Sequence, residues 1–380
     1  MSESAGDDAN PWSCVAPTHI PGKGEALVAA RDIPPNRRIL RVAPFAAVPY
    51  GRFLDTVCSG CLQPCDTSPR CSRCAVARHC ALCASSFPGR AHEYECHALA
   101  RLARNERGLT LAHDDLRLLL RVLSRRRDAA DGDAGDDDEK DDDEAVCSTL
   151  ENPNGEEARP PHDERERPSR PPPIEAVEDP FLAAAAEASD VVADAFSSLD
   201  ALMSGFDGDD DGALPEEALR VIGEVAKQCK FLVAASCRTS EETYARLLGK
   251  LQLNGFEITA ADAAAAKRKR RSSRRLEADD DDDTLKRREK KNSHPPVGVG
   301  VYPSAARFNH SCEPNCAQSF DAFACVVVET TRAVVKGEEL TIPYVDVALD
   351  AAARNQRLER NFAFRCACAR CRREMSSAKH

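Results

Sequence analysis

Large aromatic side chains are scarce in this 380-residue sequence, which holds 13 Phe, 5 Tyr and a single Trp. A core with so few rings must rest on aliphatic residues and be smaller than the length suggests, so much of the chain is not expected to fold. No apolar run is long enough to cross a bilayer, which excludes a membrane-spanning helix and predicts a soluble chain. The sequence does not open on an apolar targeting segment, which argues against secretion. Positive charge is also in deficit. Lys and Arg total 52 against 63 Asp and Glu, a formal charge of −11, so nucleic-acid binding through the whole surface is not expected.

Cysteine is abundant instead, at 18 residues. Cys58-x2-Cys61, Cys71-x2-Cys74, Cys80-x2-Cys83 and His92-x3-Cys96 supply eight potential ligands within 39 residues. That suits two tetrahedral Zn2+ ions, one held by four thiolates and one by three thiolates and an imidazole. Disulfides are the weaker reading, because a chain that is not exported keeps its thiols reduced. Cys65 and His79 remain as spare ligands in the same stretch.

Three later blocks carry further chemistry: Arg307-Phe308-Asn309-His310-Ser311-Cys312-Glu313-Pro314-Asn315-Cys316, then Gly337-Glu338-Glu339-Leu340-Thr341-Ile342-Pro343-Tyr344, then Cys366-Ala367-Cys368-Ala369-Arg370-Cys371. The Asn-His pair offers polar contacts to a small charged cofactor. Tyr344 ends a β-type run. The last three thiols await a metal but are one short of the four that a closed structural zinc site takes.

In this order the blocks strongly resemble the C-terminal half of a SET-domain protein lysine methyltransferase. The Cys/His cluster resembles the MYND zinc finger, and a finger placed between an N-terminal fragment and the SET signature is the layout of the SET-and-MYND family. The resemblance spans about residues 20–125 and 220–373. It implies an α+β fold: a β-rich, pseudoknotted SET domain with an inserted MYND-type finger, a helical insert and a zinc-binding post-SET tail. It pairs the finger ligands alternately, with Cys58, Cys61, Cys80 and Cys83 on one ion and Cys71, Cys74, His92 and Cys96 on the other. It also brings Cys312 to Cys366, Cys368 and Cys371, so three Zn2+ ions are expected.

The same resemblance implies S-adenosylmethionine as cofactor. Lys23, Gly24 and Glu25 of an opening hairpin would contact it, with Asn254, Arg307, Asn309 and His310, and Phe364 would stack near its adenine. Tyr344 would orient the substrate amine. Phe362 stands where family members commonly place a second tyrosine, which bears on activity and on the number of methyls added. The implied function is methylation of lysine in a histone or other protein, in the nucleus or cytoplasm. The alternative is a catalytically weak adaptor whose finger binds proline-rich peptides. The sequence ends soon after Cys371, so the C-terminal helical-repeat domain of many relatives is expected to be missing.

Composition and resemblance together divide the chain as follows. Residues 1–15 are expected to be disordered, 16–57 to form the first part of the SET domain, 58–96 the finger and 97–127 a helical connection. Residues 128–172, rich in Asp, Glu, Pro and Arg, bury too little apolar surface to offset chain entropy and are expected to be disordered. Residues 173–262 read as a helical insert, including a run from Ala184 to Leu202. A capping box at Thr239-x2-Glu242 precedes Tyr244, Leu247, Leu248 and Leu251 on one core-facing stripe. Residues 207–218 fit most of a calcium loop, but Ala218 occupies the position that needs a bidentate Glu, so an acidic turn is the better reading. Residues 263–293 read as a disordered charged loop whose cluster Lys267-Arg268-Lys269-Arg270-Arg271 is a candidate nuclear localisation signal. Residues 294–349 complete the SET domain, and 350–373 form the tail.

Overall fold

Short runs of β-branched and small residues, broken by Gly, Pro and Asp, make short strands. The computed structural model describes residues 11–85, 87–105, 113–133, 214–259, 296–321 and 323–377, with single residues 108, 110, 199 and 202. The strands are β1 (Val15–Ile20), β2 (Gly24–Ala29), β3 (Arg38–Val42), β4 (Ala46–Pro49), β5 (Gly255–Thr259), β6 (Pro296–Val301), β7 (Asn309–His310), β8 (Cys316–Phe320), β9 (Val326–Thr330) and β10 (Thr341–Ile342). They form small sheets ordered β1-β2, β3-β9-β8, β4-β6-β5 and β7-β10. The β7-β10 pair is parallel, and on its other side the segment leading into β10 bonds to β2, through Ala29 N to Glu338 O (2.9 Å) and Leu340 N to Leu27 O (2.8 Å). N-terminal and C-terminal thirds of the sequence therefore share one site.

The helices are α1 (Ala81–Ala84), α2 (Phe87–Ala103), α3 (Asp114–Asp133), α4 (Glu216–Leu232), α5 (Glu241–Asn254), α6 (Ala351–Phe362) and α7 (Ala369–Ser377). One buried cluster joins α2–α5 to β4 and β6 through residues such as Leu102, Leu119, Tyr244, Leu247 and Val299. A second fills the sheets with Leu27, Ile39, Leu40, Phe308 and Val328. Both are mainly aliphatic, as the shortage of rings requires. The finger presses directly on β6, because a Cβ at Gly298 would stand 2.2 Å from Leu62 Cδ2 and 2.4 Å from Val48 O. Only a residue with no side chain allows that approach.

Three expectations need adjustment. Ordered chain begins before residue 16, since Pro11–Cys14 is a short 3-10 helix, Cys14 is buried and its carbonyl accepts from Ala30 N (2.9 Å). The cap of α5 is Ser240, not Thr239. Its hydroxyl accepts from Thr243 N (3.1 Å), whereas the Thr239 amide donates to Tyr244 Oη (3.1 Å), which draws the chain inward one residue before the cap. Residues α2 and α3 respect no boundary at 96 or 127: α2 carries His92 and Cys96 and continues to Ala103, and α3 reaches Asp133. The helical run at 184–202, apart from Leu199 and Leu202, and the acidic loop through 213 lie outside the described residues, as do Cys147 and the basic cluster. Glu217, near the end of the candidate calcium loop, lies in the first turn of α4 and pairs with Arg220 (2.6 Å).

The charged segment leaves and returns at one point, because Thr259 at the end of β5 is the register partner of Pro296 at the start of β6. Loop length enters stability only logarithmically. Replacing 263–293 with a short Gly/Ser linker is therefore expected to change unfolding free energy by about 1 kcal/mol at most. Urea unfolding of the shortened chain checks this, and loss of soluble protein would show that the segment is part of the fold.

Candidate functional site

The cysteine pairs sit on turns and helix starts that let their side chains converge. In each of three sets, Cys58/Cys61/Cys80/Cys83, Cys71/Cys74/His92/Cys96 and Cys312/Cys366/Cys368/Cys371, the four ligand atoms lie within 4.8 Å of one another. Tetrahedral zinc with bonds of about 2.3 Å requires sulfurs about 3.8 Å apart. Most spacings lie near that figure: Cys61 to Cys80 is 3.9 Å, Cys71 to Cys96 is 3.7 Å and Cys312 to Cys366 is 3.9 Å, while Cys312 to Cys371 is tighter at 3.4 Å. His92 turns Nε2 toward Cys74 Sγ (3.6 Å), and burial, followed by the neighbouring His79, pushes its pKa down to about 4, keeping the imidazole neutral as a ligand must be. Backbone amides aim at the sulfurs, Gly60 N and Cys80 N at Cys58 (3.3 and 3.4 Å) and Val76 N at Cys74 (3.4 Å), where they stabilise thiolate charge. The sets are the alternating ones expected for the finger, and Cys312 does meet the tail thiols. Cys65 packs beside the first set but is not among its four converging ligands.

A second group of polar side chains surrounds Glu339. Lys23 Nζ lies 2.5 Å from Glu339 Oε2, and Asn309 Nδ2 donates to Glu339 Oε1 (3.0 Å) and to Glu25 O (3.3 Å). Arg307 pairs with Glu25 (3.2 Å). Gly24 adopts φ +75, with open space where a Cβ would stand. Two cations, one amide donor and two carboxylates gathered here suit a ligand carrying both an ammonium and a carboxylate, as S-adenosylmethionine does. Asn254 is not among the side chains gathered round Glu339; it closes α5 with its amide turned back onto Lys250 O (2.8 Å).

Rings form the adjoining wall. The Tyr344 centroid lies 4.9 Å from Phe362, 5.5 Å from His310 and 6.3 Å from Phe364, and His310 lies 6.2 Å from Phe364. Left-handed Ala363 (φ 57), at the end of α6, lets Phe362 and Phe364 both face this cluster. Tyr344 N donates to His310 Nδ1 (3.0 Å), which leaves the ring proton on Nε2, facing Cys312 Sγ at 3.3 Å. Tyr344 Oη donates to Phe308 O (2.7 Å). Burial, followed by the charge of Glu339, pushes the phenol pKa well above its ordinary value, so it stays neutral.

Sequence reading missed Glu339, Asn315 and Arg354. Asn315 is buried, accepts from Thr341 N (2.8 Å) and donates to Glu339 O (2.8 Å), holding β10 in register. Its place inside the Asn-His block concealed it among more conspicuous neighbours. Arg354 precedes Leu358 and Phe362 at intervals of four. An arginine in line with two apolar residues of one helix face is a signal that the helix buries a charge for a reason.

A SET-domain family model matches residues 213–345. Over 358 residues the chain is 22% identical to the histone-lysine N-methyltransferase ASHR1 of Arabidopsis thaliana, covering 94% of this chain and 55% of that protein. It is 39% identical over 82 residues to the histone-lysine N-methyltransferase SMYD3 of Mus musculus, 22% of this chain and 19% of the relative. A SET and MYND domain-containing protein of Dictyostelium discoideum is 35% identical over 81 residues, 21% of each chain. The chain thus spans about half the length of the first relative and a fifth of the others. A solved SET domain of LSMT, bound to lysine and AdoHcy, aligns with 96% of this chain and 54% of its own at 12% identity and a TM-score of 0.33.

Proposed function

We propose that this chain, which carries a SET domain and resembles the SET-and-MYND proteins, transfers methyl groups from S-adenosylmethionine to lysine side chains of a protein. The observation that carries the reading is the Tyr344 hydroxyl. It spends its proton on Phe308 O (2.7 Å), so its lone pairs are left to accept from a substrate amine. Lys23, Gly24, Glu25, Arg307, Asn309 and His310 would hold the cofactor, with Phe364 against the adenine. When bound, S-adenosylmethionine supplies an electrophilic methyl on sulfonium sulfur. The protein's task is then positioning and exclusion of water from a lysine that must be neutral to attack. Tyr344 orients the amine and steadies its developing positive charge. Phe362 narrows the channel without adding a second hydroxyl.

Calorimetric titration with S-adenosylmethionine, followed by mass spectrometry of lysine peptides, tests the reading. Asn309→Ala is expected to weaken cofactor binding at least about 10-fold, the loss of one well-placed polar contact to a charged ligand. Absence of cofactor binding by the intact protein would overturn the enzyme. Phe362 favours one other reading, an adaptor of weak activity whose finger takes proline-rich peptides; cofactor binding without methyl transfer to any peptide would support it. We also propose residence in the nucleus, the cytoplasm or both, with Lys267–Arg271 as a candidate nuclear signal; if it works as one, removing 263–293 from a fluorescent fusion shifts it out of the nucleus.

A further inference from the structure

Arg354 is one of the largest side chains that the fold buries completely, at 0% exposure. Removing a guanidinium from water costs several kcal/mol unless its donors find charged or polar partners. Its Nε donates to Cys312 Sγ at 3.1 Å, and one terminal nitrogen reaches Cys371 Sγ at 3.6 Å and Glu374 Oε2 at 2.6 Å. The other terminal nitrogen donates to Leu349 O. Glu374 is about a third exposed and is shared with Arg370 (2.7 Å), so it supplies only part of the compensation. The rest comes from Leu349 O and the two thiols.

Those thiols are the two most deeply buried of the tail set, at 1% and 0% exposure. Cys312 also faces His310 Nε2 (3.3 Å), and Cys371 receives Asn355 Nδ2 (3.8 Å). Cys366 and Cys368 instead receive backbone amides, from Cys368 N and Cys371 N at 3.5 Å each. The four-thiolate set of the finger is likewise served by amides at Cys58. Four thiolates around Zn2+ carry a net charge of −2, which a buried site must offset. In the tail a full positive charge on α6 meets that need, and it does so asymmetrically.

We propose that Arg354 is a positioning residue of the tail metal site: it bonds Cys312 and Cys371 as thiolates, and so makes these two sulfurs the poorer nucleophiles and the metal slow to leave. A hydrogen bond to thiolate draws on the lone pair that would attack an electrophile, so the effect is specific to the sulfurs it touches. The consequence reaches beyond the metal, since Cys312 lies two residues after His310 in the segment that carries Asn309. The inference rests on the tail set holding zinc, and it does not require methyl transfer.

The test uses the full chain as wild type, Arg354→Met and Arg354→Lys. Metal analysis should give three zincs for the wild type; two would remove the tail site and the proposal with it. In Arg354→Met a chelator should draw off one zinc with apparent affinity about 10–100-fold weaker than in the wild type, the usual scale for losing a residue that bonds a metal ligand, while the finger's two are retained as before. Pulsed alkylation with iodoacetamide, read thiol by thiol by mass spectrometry, separates bonding from packing. Alkylation of Cys312 and Cys371 should accelerate on the order of 10-fold relative to Cys366 and Cys368. Arg354→Lys keeps the charge but not the fork, and should fall between. Equal acceleration of all four tail thiols would mean that Arg354 only fills space, and unchanged metal release would overturn the proposal. If Arg354→Met does not fold, Arg354→Lys decides alone: wild-type ratios among the four thiols would overturn it.

Discussion

Tyr344→Phe is expected to leave S-adenosylmethionine binding within about twofold of wild type and to depress methyl transfer by on the order of 10²-fold or more, the scale for deleting one preorganised polar contact to developing charge. The two effects separate because the backbone amide of Tyr344, not its hydroxyl, bonds His310 Nδ1 (3.0 Å), and phenylalanine keeps that bond and the ring contacts. The hydroxyl reaches Phe308 O (2.7 Å) and no cofactor-holding side chain is needed to place it. Single-turnover transfer to a peptide, with cofactor affinity measured alongside, checks the split. Turnover equal to wild type would take Tyr344 out of the mechanism and favour the adaptor.

Much of this site was legible in the sequence because metal ligands and tight polar turns impose spacings that survive in one dimension. Cys58-x2-Cys61 and its companions announce a finger, and the alternate pairing that the resemblance implied is the one that converges within 4.8 Å. Partners that act through burial leave a fainter mark. Arg121 and Glu95 sit among the other charges of their helices and pair only once the neighbouring elements are packed against them, and Glu339 reads as one of two adjacent acids whose roles differ only in the folded segment before β10. Glu338 bonds Arg332 at 2.5 Å on the outer side, while Glu339 turns inward to Lys23 and Asn309. The cap of α5 was misread for a related reason: Ser240 and Thr239 have equal capping chemistry. What selects Ser240 is the Tyr244 hydroxyl taking the Thr239 amide, a contact that no local motif encodes.

The largest stability effect is expected at the joint between the finger and the sheets. Arg121 on α3 is 3% exposed, and its Nε lies 2.5 Å from Oε1 of Glu95, which is 2% exposed and sits on α2 between His92 and Cys96. The same guanidinium donates to Ser59 O (3.1 Å), between Cys58 and Cys61, and to Ala47 O (3.4 Å) in β4. One side chain thus ties both halves of the finger to the strand that borders β6. Burial pushes the Glu95 carboxyl pKa up while Arg121 pulls it down, so the charged pair depends on the arginine. Arg121→Met leaves Glu95 without its countercharge and two carbonyls without their donor, an expected loss of about 3–5 kcal/mol in urea unfolding with zinc present. Adding Glu95→Met should recover most of that loss, because an apolar pair of similar volume removes the stranded charge. A penalty below about 1 kcal/mol for Arg121→Met, the range of surface ion pairs, would show that the finger is held by packing such as Leu62 on Gly298 and that Arg121 is not its clasp.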